Sequence, residues 1–147
     1  MKIEPFQPAD LAQILEIEAA SFPGDPYTGD LFLRYHRRCP DGFLVARACN
    51  CLAGYIITCR QGSRAEIISV AVAPERRRAG IGGALLHHAL VKLAGAGVAT
   101  VGLMVRATDC GAIAFYRKFG FEEAGMVNNY YADGADALRM SKRLAAP

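Results

Sequence analysis

The spacing of hydrophobic and polar positions changes several times along this chain, and each change marks an element. After an N-terminal strand, Leu11 and Ile14 begin a pattern with helical spacing, and Asp10 is placed to cap that helix. The Pro-Gly-Asp-Pro run at residues 23–26 ends it. A second, shorter helix is predicted over about residues 29–38. The N-terminal quarter is therefore a strand followed by two helices.

Three strand-like stretches follow at about residues 42–49, 51–60 and 64–72. Asn50 and the Gln-Gly-Ser run at residues 61–63 separate them and are typical turn residues. The pattern predicts an antiparallel meander.

The second half alternates helices and strands. Ile81, Leu85, Ala89 and Leu93 form an apolar stripe at four-residue spacing, which predicts a helix that packs on a sheet. A buried strand is expected next, then a helix ended by a glycine, then two closing strands joined across Asp133-Gly134; these lie at about residues 99–105, 111–119, 121–127 and 137–144. The complete order predicts one α/β domain over residues 1–147, with helices on both faces of a mixed sheet.

Composition and charge narrow the function classes. The chain has 147 residues, of which 52% are hydrophobic and 21% charged, as expected for one globular domain. The N-terminal segment, residues 1–5, lacks the apolar run of a signal peptide, so we expect a cytoplasmic protein without a membrane segment. The net charge of +3 is modest. The basic residues are concentrated in two clusters, at residues 34–38 and 76–78, rather than along one face, and this distribution does not favour nucleic-acid binding. We expect the protein to be a monomer or a homodimer.

The cysteines predict neither a metal site nor a disulfide framework. Their number is odd, and they contain no Cys-x-x-Cys pair. Cys49 and Cys51 can face one side of a strand, but the three histidines are poorly placed to complete a metal site. We therefore expect reduced packing residues and no bound metal; the cysteines are Cys39, Cys49, Cys51, Cys59 and Cys110.

A candidate phosphate site lies between an apolar strand and a helix, at residues 76–84. The glycines at 80, 82 and 83 allow close approach of the backbone to an anion, and the helix start supplies free N–H groups and a positive dipole. A nucleotide-hydrolysing P-loop is excluded because no lysine follows until Lys92. A dinucleotide fingerprint is disfavoured because Leu85 occupies its third glycine position and residues 100–102 are not acidic.

The remaining pattern, Arg77-x-x-Gly80-x-Gly82, resembles the pyrophosphate-binding motif of the GCN5-related N-acetyltransferase (GNAT) superfamily. The predicted order of elements is that of its fold. The resemblance implies acetyl-CoA as cofactor, with its pantetheine arm paired to the fourth strand, where a backbone amide serves as oxyanion donor. The cofactor-binding residues it implies are Val70, Ala71, Val72, Arg77, Arg78, Ala79, Gly80, Ile81, Gly82, Gly83, Ala84, Asp109, Ala112, Phe115 and Tyr116.

A second motif at residues 105–121 resembles the ribosomal-protein-alanine and protein N-terminal branch of that superfamily. The resemblance gives Tyr116 the role of general acid toward the departing thiolate; the alternative is a tyrosine that only packs its helix. At Asp109 the family commonly has an asparagine that bonds the pantetheine arm, and an aspartate can accept but not donate, so cofactor contact there is expected to differ.

The general base is harder to assign. Relatives have a glutamate in the preceding strand where this chain has Met104. Glu66 is the expected replacement, acting directly or through a water, because it precedes Arg77 by the interval found for the catalytic glutamate of the histone-acetylating branch. The alternative is a carboxylate at a strand edge or in an ion pair.

The acceptor is expected between two aromatic loops, at residues 22–27 and 128–134. The resemblance implies contacts from Phe22, Pro23, Tyr27, Tyr130 and Tyr131, although the last two can also be ordinary strand-end aromatics. A protein α-amine, with a pKa of about 8, is roughly a tenth neutral at pH 7 and tolerates a weak base better than lysine does. A protein N-terminus is therefore the favoured acceptor. A small-molecule amine and a catalytically silent acyl-CoA-binding module remain the alternatives.

Overall fold

The computed structural model describes residues 1–24 and 26–144, and these form a mixed sheet of seven strands in the order β1-β2-β3-β4-β5-β7-β6. The β4–β5 pair is parallel, and the other neighbouring pairs are antiparallel. The strands are β1 (Lys2–Pro5), β2 (Phe43–Ala48), β3 (Cys51–Gln61), β4 (Arg64–Val72), β5 (Thr100–Arg106), β6 (Glu122–Val127) and β7 (Ala137–Arg143). The helices are α1 (Leu11–Ser21), α2 (Gly29–Arg38), α3 (Ile81–Gly95) and α4 (Cys110–Lys118). The predicted α/β class and order of elements are confirmed.

Apolar residues form one core on each face of the sheet. On one face, α3 buries Leu85, Leu86 and Ala89 against the central strands. On the other face, α1 and α2 bury Ile14, Ile17 and Phe32. Burying each large side chain contributes about 1.5–3 kcal/mol, so both helical layers hold the sheet rigidly. No helix in the described ranges has the length and apolarity to cross a membrane.

The pairing of β4 with β5 stops halfway along both strands. Arg64 pairs with Thr100 at one end of the register, and Ile67 pairs with Leu103 at the other. Here β4 also has an irregularity, since β3 residues Ile57 and Thr58 pair with Ser69 and Ile67 and leave Ile68 between them. Beyond this point β4 pairs with β3 and β5 pairs with β7, so a cleft opens between their C-terminal halves.

The predicted capping role of Asp10 is wrong. Its side chain makes no capping hydrogen bond to α1. One carboxylate oxygen accepts from the Gln7 backbone N–H at 3.0 Å, and the other lies 2.9 Å from Arg47 Nη2. The carboxylate pairs instead with Arg47, which comes from a distant strand that the local pattern does not show.

The prediction of reduced packing cysteines is also wrong. Cys39, after α2, and Cys59, in β3, form a disulfide with their Cα atoms 5.4 Å apart. Cys49, Cys51 and Cys110 are free and exposed rather than packed. The bond ties the C-terminal end of α2 to β3 of the sheet.

This bond predicts a specific thiol count. In denaturant without reductant, alkylation should label Cys49, Cys51 and Cys110, and added reductant should raise the count to five. Because the bond closes a segment of 20 residues, reduction should lower the free energy of unfolding by about 3 kcal/mol. Mass spectrometry of the alkylated chain and denaturant unfolding measure the two effects. Five labelled cysteines without reductant would contradict the pairing.

Candidate active site

The loop between β4 and α3 has the backbone geometry of an anion site. Arg78 and Gly80 both have positive φ angles, of 65° and 78°, which turn the chain sharply before α3. The Ala84 N–H donates to the Gly80 carbonyl at 3.0 Å as the first bond of the helix. The amides of the residues between them precede this bond and face outward, where they can receive an anion.

The first turn of α3 packs closely against α4 at Gly83. A Cβ atom on Gly83 would lie 3.0 Å from Phe119 Cζ. One on Gly82 would lie 3.5 Å from Val72 Cγ2 and 3.6 Å from Phe115 Cζ. Gly83 therefore brings the helix start close to α4, whereas a Cβ at position 82 would make only ordinary contacts with β4 and α4. A basic cleft lies above the helix start.

This cleft has a volume of about 750 Å³ and a mainly basic and aromatic lining. Eight residues predicted to bind the cofactor line it: Val72, Arg77, Arg78, Gly80, Ile81, Gly82, Gly83 and Phe115. Arg76, which the sequence placed at the phosphate site, also lines it, and so do two residues that sequence reasoning missed, Lys118 and Phe119. Lys118 and Phe119 follow Phe115 by three and four residues, so they lie on the same side of the predicted helix. The helical spacing within the second motif could therefore have identified them.

The other predicted cofactor residues lie around this cleft rather than in its lining. Val70 and Ala112 pack against the core under α3, and Ala71 is buried in the opposite core. Ala79 is exposed in the loop. Asp109 caps α4, since its side chain accepts from the Ala112 N–H at 3.0 Å.

Arg77 fixes the loop to two other elements. Its Nε atom lies 3.3 Å from the Val72 carbonyl oxygen, and its Nη2 atom lies 3.2 Å from Ser21 Oγ at the end of α1. One guanidinium thus joins the end of β4, the basic loop and α1. Its neighbours Arg76 and Arg78 add positive charge to the loop, which also contains Glu75.

Tyr116 lies on α4, with its ring packed edge-on against Phe115 and Phe121 at centroid distances of 5.2 and 5.8 Å. Burial raises the pKa of Tyr116 to about 12, and the charges of Asp109 and Tyr131 add to the effect. The phenol therefore keeps its proton at neutral pH. It both packs the helix and offers an O–H donor, so the two roles considered for it are compatible.

The Glu66 side chain extends from β4 over β5 and pairs with Arg139 on β7. Its Oε1 atom accepts a hydrogen bond from Arg139 Nη2 at 2.9 Å. The contact passes over Gly102 of β5, where a Cβ atom would lie 2.9 Å from Glu66 Oε1 and 3.0 Å from Arg139 Nη2. The two side chains are 41% and 31% exposed, so the pair is open to solvent.

Position 104 lies beside this pair. Met104 is directly opposite Arg139 in the β5–β7 register, and Gly102 is opposite Glu66 in the β4–β5 register. Val101, Leu103 and Val105 point into the core under α3. Gly102 and Met104 therefore share the opposite face, since strand residues alternate. The Glu66 carboxylate is held on the same face as the side chain of residue 104.

The loop between α1 and α2 is held by a buried carboxylate that sequence reasoning missed. Glu18 is 1% exposed. One of its oxygens accepts from the Tyr27 N–H at 2.8 Å, and the other accepts a short hydrogen bond from the Tyr55 hydroxyl. Tyr55 in turn is 2.9 Å from Ser69 Oγ on β4. A glutamate among apolar helix positions was the available signal, but its partners are distant in sequence.

Tyr27 lies across the beginning of the cleft between β4 and β5. Its hydroxyl is 3.5 Å from the carbonyl oxygen of Ile68, the residue left out of the β3–β4 register. Burial raises the pKa of Tyr27, and Tyr35, Glu18, Tyr130 and Tyr131 raise it further. Phe22 and Pro23 are exposed beside it, while Asp25 of the predicted loop lies outside the described residues.

Tyr130 and Tyr131 belong to the loop between β6 and β7, where their rings meet edge-on at 5.0 Å. Tyr131 is near enough to both Tyr27 and Tyr116 to raise the pKa of each. The loop between β6 and β7 therefore lies near both Tyr27 of the other aromatic loop and Tyr116 of α4.

Comparisons with known proteins agree with this architecture. The family model described as "Acetyltransferase (GNAT) family" matches residues 11–121.

Three solved structures are similar to the whole chain. Ard1 from Thermoplasma volcanium is 32% identical and superposes with a TM-score of 0.94, covering 98% of this chain and 97% of that one. The ribosomal-protein-S18-alanine N-acetyltransferase from Escherichia coli is 30% identical, with a TM-score of 0.87 and coverages of 99% and 95%. Naa20 from Chaetomium thermophilum, solved with a bisubstrate analogue, is 30% identical, with a TM-score of 0.89 and coverages of 98% and 87%. The chain therefore belongs to the acetyltransferase (GNAT) family and is an N-acetyltransferase.

Proposed function

We propose that this enzyme transfers an acetyl group from acetyl-CoA directly to the α-amino group of a protein N-terminus. The observation that carries the proposal is that both aromatic loops lie where β4 and β5 separate. The Tyr27 hydroxyl is 3.5 Å from the Ile68 carbonyl oxygen of β4, and the Tyr131 ring is 4.3 Å from the guanidinium carbon of Arg106 of β5. The basic loop and α4 follow the same ends of these two strands, so donor cleft, candidate acid and acceptor loops lie at one end of the sheet. The ribosomal-protein-S18-alanine N-acetyltransferase has the same fold at 30% identity, which supports a protein N-terminus as acceptor.

The donor end of the site fits a phosphorylated carrier. The pyrophosphate is assigned to the outward amides at Ile81, Gly82 and Gly83, with Arg77 and Arg78 supplying charge. When bound, the cofactor supplies the acetyl thioester. The free edge of β4, from Val70 to Val72, offers N–H and C=O groups that an extended pantetheine arm can pair with, and one amide there can stabilise the oxyanion.

The reaction needs an acid for the leaving thiolate. Tyr116 is assigned that role because its raised pKa keeps the proton on the phenol oxygen until charge develops nearby. Its ring is fixed by Phe115 and Phe121, which reduces its freedom to turn away.

The reaction also needs a route for the amine proton. Glu66 is assigned as the base, acting directly or through a water, because its carboxylate is partly exposed on the face where residue 104 lies. Arg139 donates a hydrogen bond to one oxygen of this carboxylate and holds it over β5. A weak base is adequate for an α-amine, since roughly a tenth of such amines are neutral at pH 7.

The acceptor class is tested by measuring release of free coenzyme A from acetyl-CoA. The acceptors are peptides beginning with Ala, Ser, Thr or Met, the same peptides with a blocked α-amine and an internal lysine, and a panel of small amines. We expect turnover on free N-termini that disappears on blocking. Turnover on small amines alone would replace the protein acceptor. Coenzyme binding without transfer to any amine would indicate a silent module.

The acid is tested by Tyr116→Phe. The substitution keeps the packed ring and removes the hydroxyl, so kcat should fall by about 10²–10³-fold with little change in the Kd of acetyl-CoA. Tyr35→Phe, on α2, is the matched control and should keep wild-type kcat. Equal kcat in wild type and Tyr116→Phe would show that the tyrosine only packs its helix.

The base is tested by comparing Glu66→Gln with Arg139→Gln, which break the same ion pair from opposite sides. If Glu66 accepts the proton, Glu66→Gln should lower kcat by about tenfold or more at pH 7, and Arg139→Gln should have a smaller effect. The loss should shrink as the pH rises past about 8, where the α-amine is neutral without help. Equal losses in the two variants at every pH would instead identify a structural ion pair.

A further inference from the structure

Arg106 occupies the last position of β5, just before α4 and beside the end of the loop between β6 and β7. Its carbonyl oxygen accepts a hydrogen bond from the Asp109 N–H at 3.0 Å, next to α4. Its backbone also pairs with Ala137 at the start of β7. The backbone of Arg106 is therefore fixed by the sheet at the edge of the cleft.

The side chain of Arg106 makes two contacts with the loop between β6 and β7. Its guanidinium carbon lies 4.3 Å from the centroid of the Tyr131 ring. Its Nη1 atom lies 2.9 Å from Asp133 Oδ2 and 3.2 Å from Asp133 Oδ1. A planar guanidinium can stack on a ring and donate to a carboxylate at the same time, which a lysine ammonium cannot do in this geometry.

The loop has internal bonds that give it a shape of its own. The Tyr131 N–H donates to the Ala135 carbonyl at 3.1 Å, and the Gly134 N–H donates back to the Tyr131 carbonyl at 2.9 Å. Asp133 Oδ1 also accepts from the Ala135 N–H at 3.0 Å. That backbone bond, with the Arg106 contact, lowers the pKa of Asp133 and keeps its carboxylate ionised. These bonds shape the loop, while Arg106 connects its tip to β5.

We infer that Arg106 is a positioning residue that holds Tyr131 over the transfer point and thereby sets the affinity for the acceptor. The inference rests on the proposed function, because it assigns the acceptor to the two aromatic loops. Without the guanidinium, the ring of Tyr131 and the carboxylate of Asp133 lose their common support. The loop can then swing away from Tyr27, while the donor cleft at the start of α3 stays intact.

The test uses Arg106→Lys and Asp133→Asn, with Arg117→Gln as a matched control. Arg117 also pairs with a carboxylate, that of Glu123, but both side chains are more than half exposed on the surface. We expect Arg106→Lys to raise the KM for the acceptor peptide by about three- to thirtyfold, with the KM for acetyl-CoA unchanged. Asp133→Asn, which leaves β5 unaltered, should shift the acceptor KM in the same direction by less.

Hydrogen exchange of residues 128–136 supplies a readout that does not depend on which amine is acetylated. The loop should exchange faster in Arg106→Lys than in wild type or in Arg117→Gln. Unchanged exchange would overturn the inference, and so would faster exchange with an unchanged acceptor KM. A failure of the proposed function would look different, since the wild-type enzyme would then acetylate none of the peptides.

Discussion

The site depends on the point where β4 and β5 stop pairing. Had the parallel register continued past Ile67 and Leu103, the backbone of Val70–Val72 would be bonded to β5 and closed to any ligand. Because Ile68 is left out of the β3–β4 register, β4 bends while it stays paired with β3. Polar backbone groups on its other edge are left to bind solvent or an extended ligand. The basic loop, Tyr116 and the aromatic loops are all placed around that opening.

A glycine in the paired part of β5 explains why a carboxylate from another strand can lie over β5. Position 104 carries a methionine, yet the glycine two residues earlier leaves room for Glu66 of β4 and Arg139 of β7 to meet over β5. An alanine at position 102 would place its Cβ atom within about 3 Å of both side chains. The absence of a side chain at Gly102 therefore lets the charged groups of Glu66 and Arg139 meet over β5.

Local patterns predicted the order of elements and the glycine loop because both depend on neighbours in sequence. Helical spacing from Ile81 to Leu93 and the glycines before it lie within one segment, so they could be interpreted without the fold. Glu18–Tyr55, Asp10–Arg47 and Cys39–Cys59 were not predicted, since each pair joins residues that only the folded sheet brings together. Glu66 was anticipated as a candidate base, but its partner Arg139 lies 73 positions away and could not be identified.

The charge distribution around the transfer point limits which groups can take a proton. Burial raises the pKa of Tyr27, Tyr116 and Tyr131, so these phenols are protonated at neutral pH and act as donors. Glu18 is an acceptor, but it is 1% exposed and holds Tyr27 and Tyr55 in place. A proton delivered to it has no direct route to solvent. Glu66 has such a route to solvent, because its side chain is 41% exposed beside Arg139. Solvent access therefore supports the proposed assignment of Glu66, rather than Glu18, as the group that receives the amine proton.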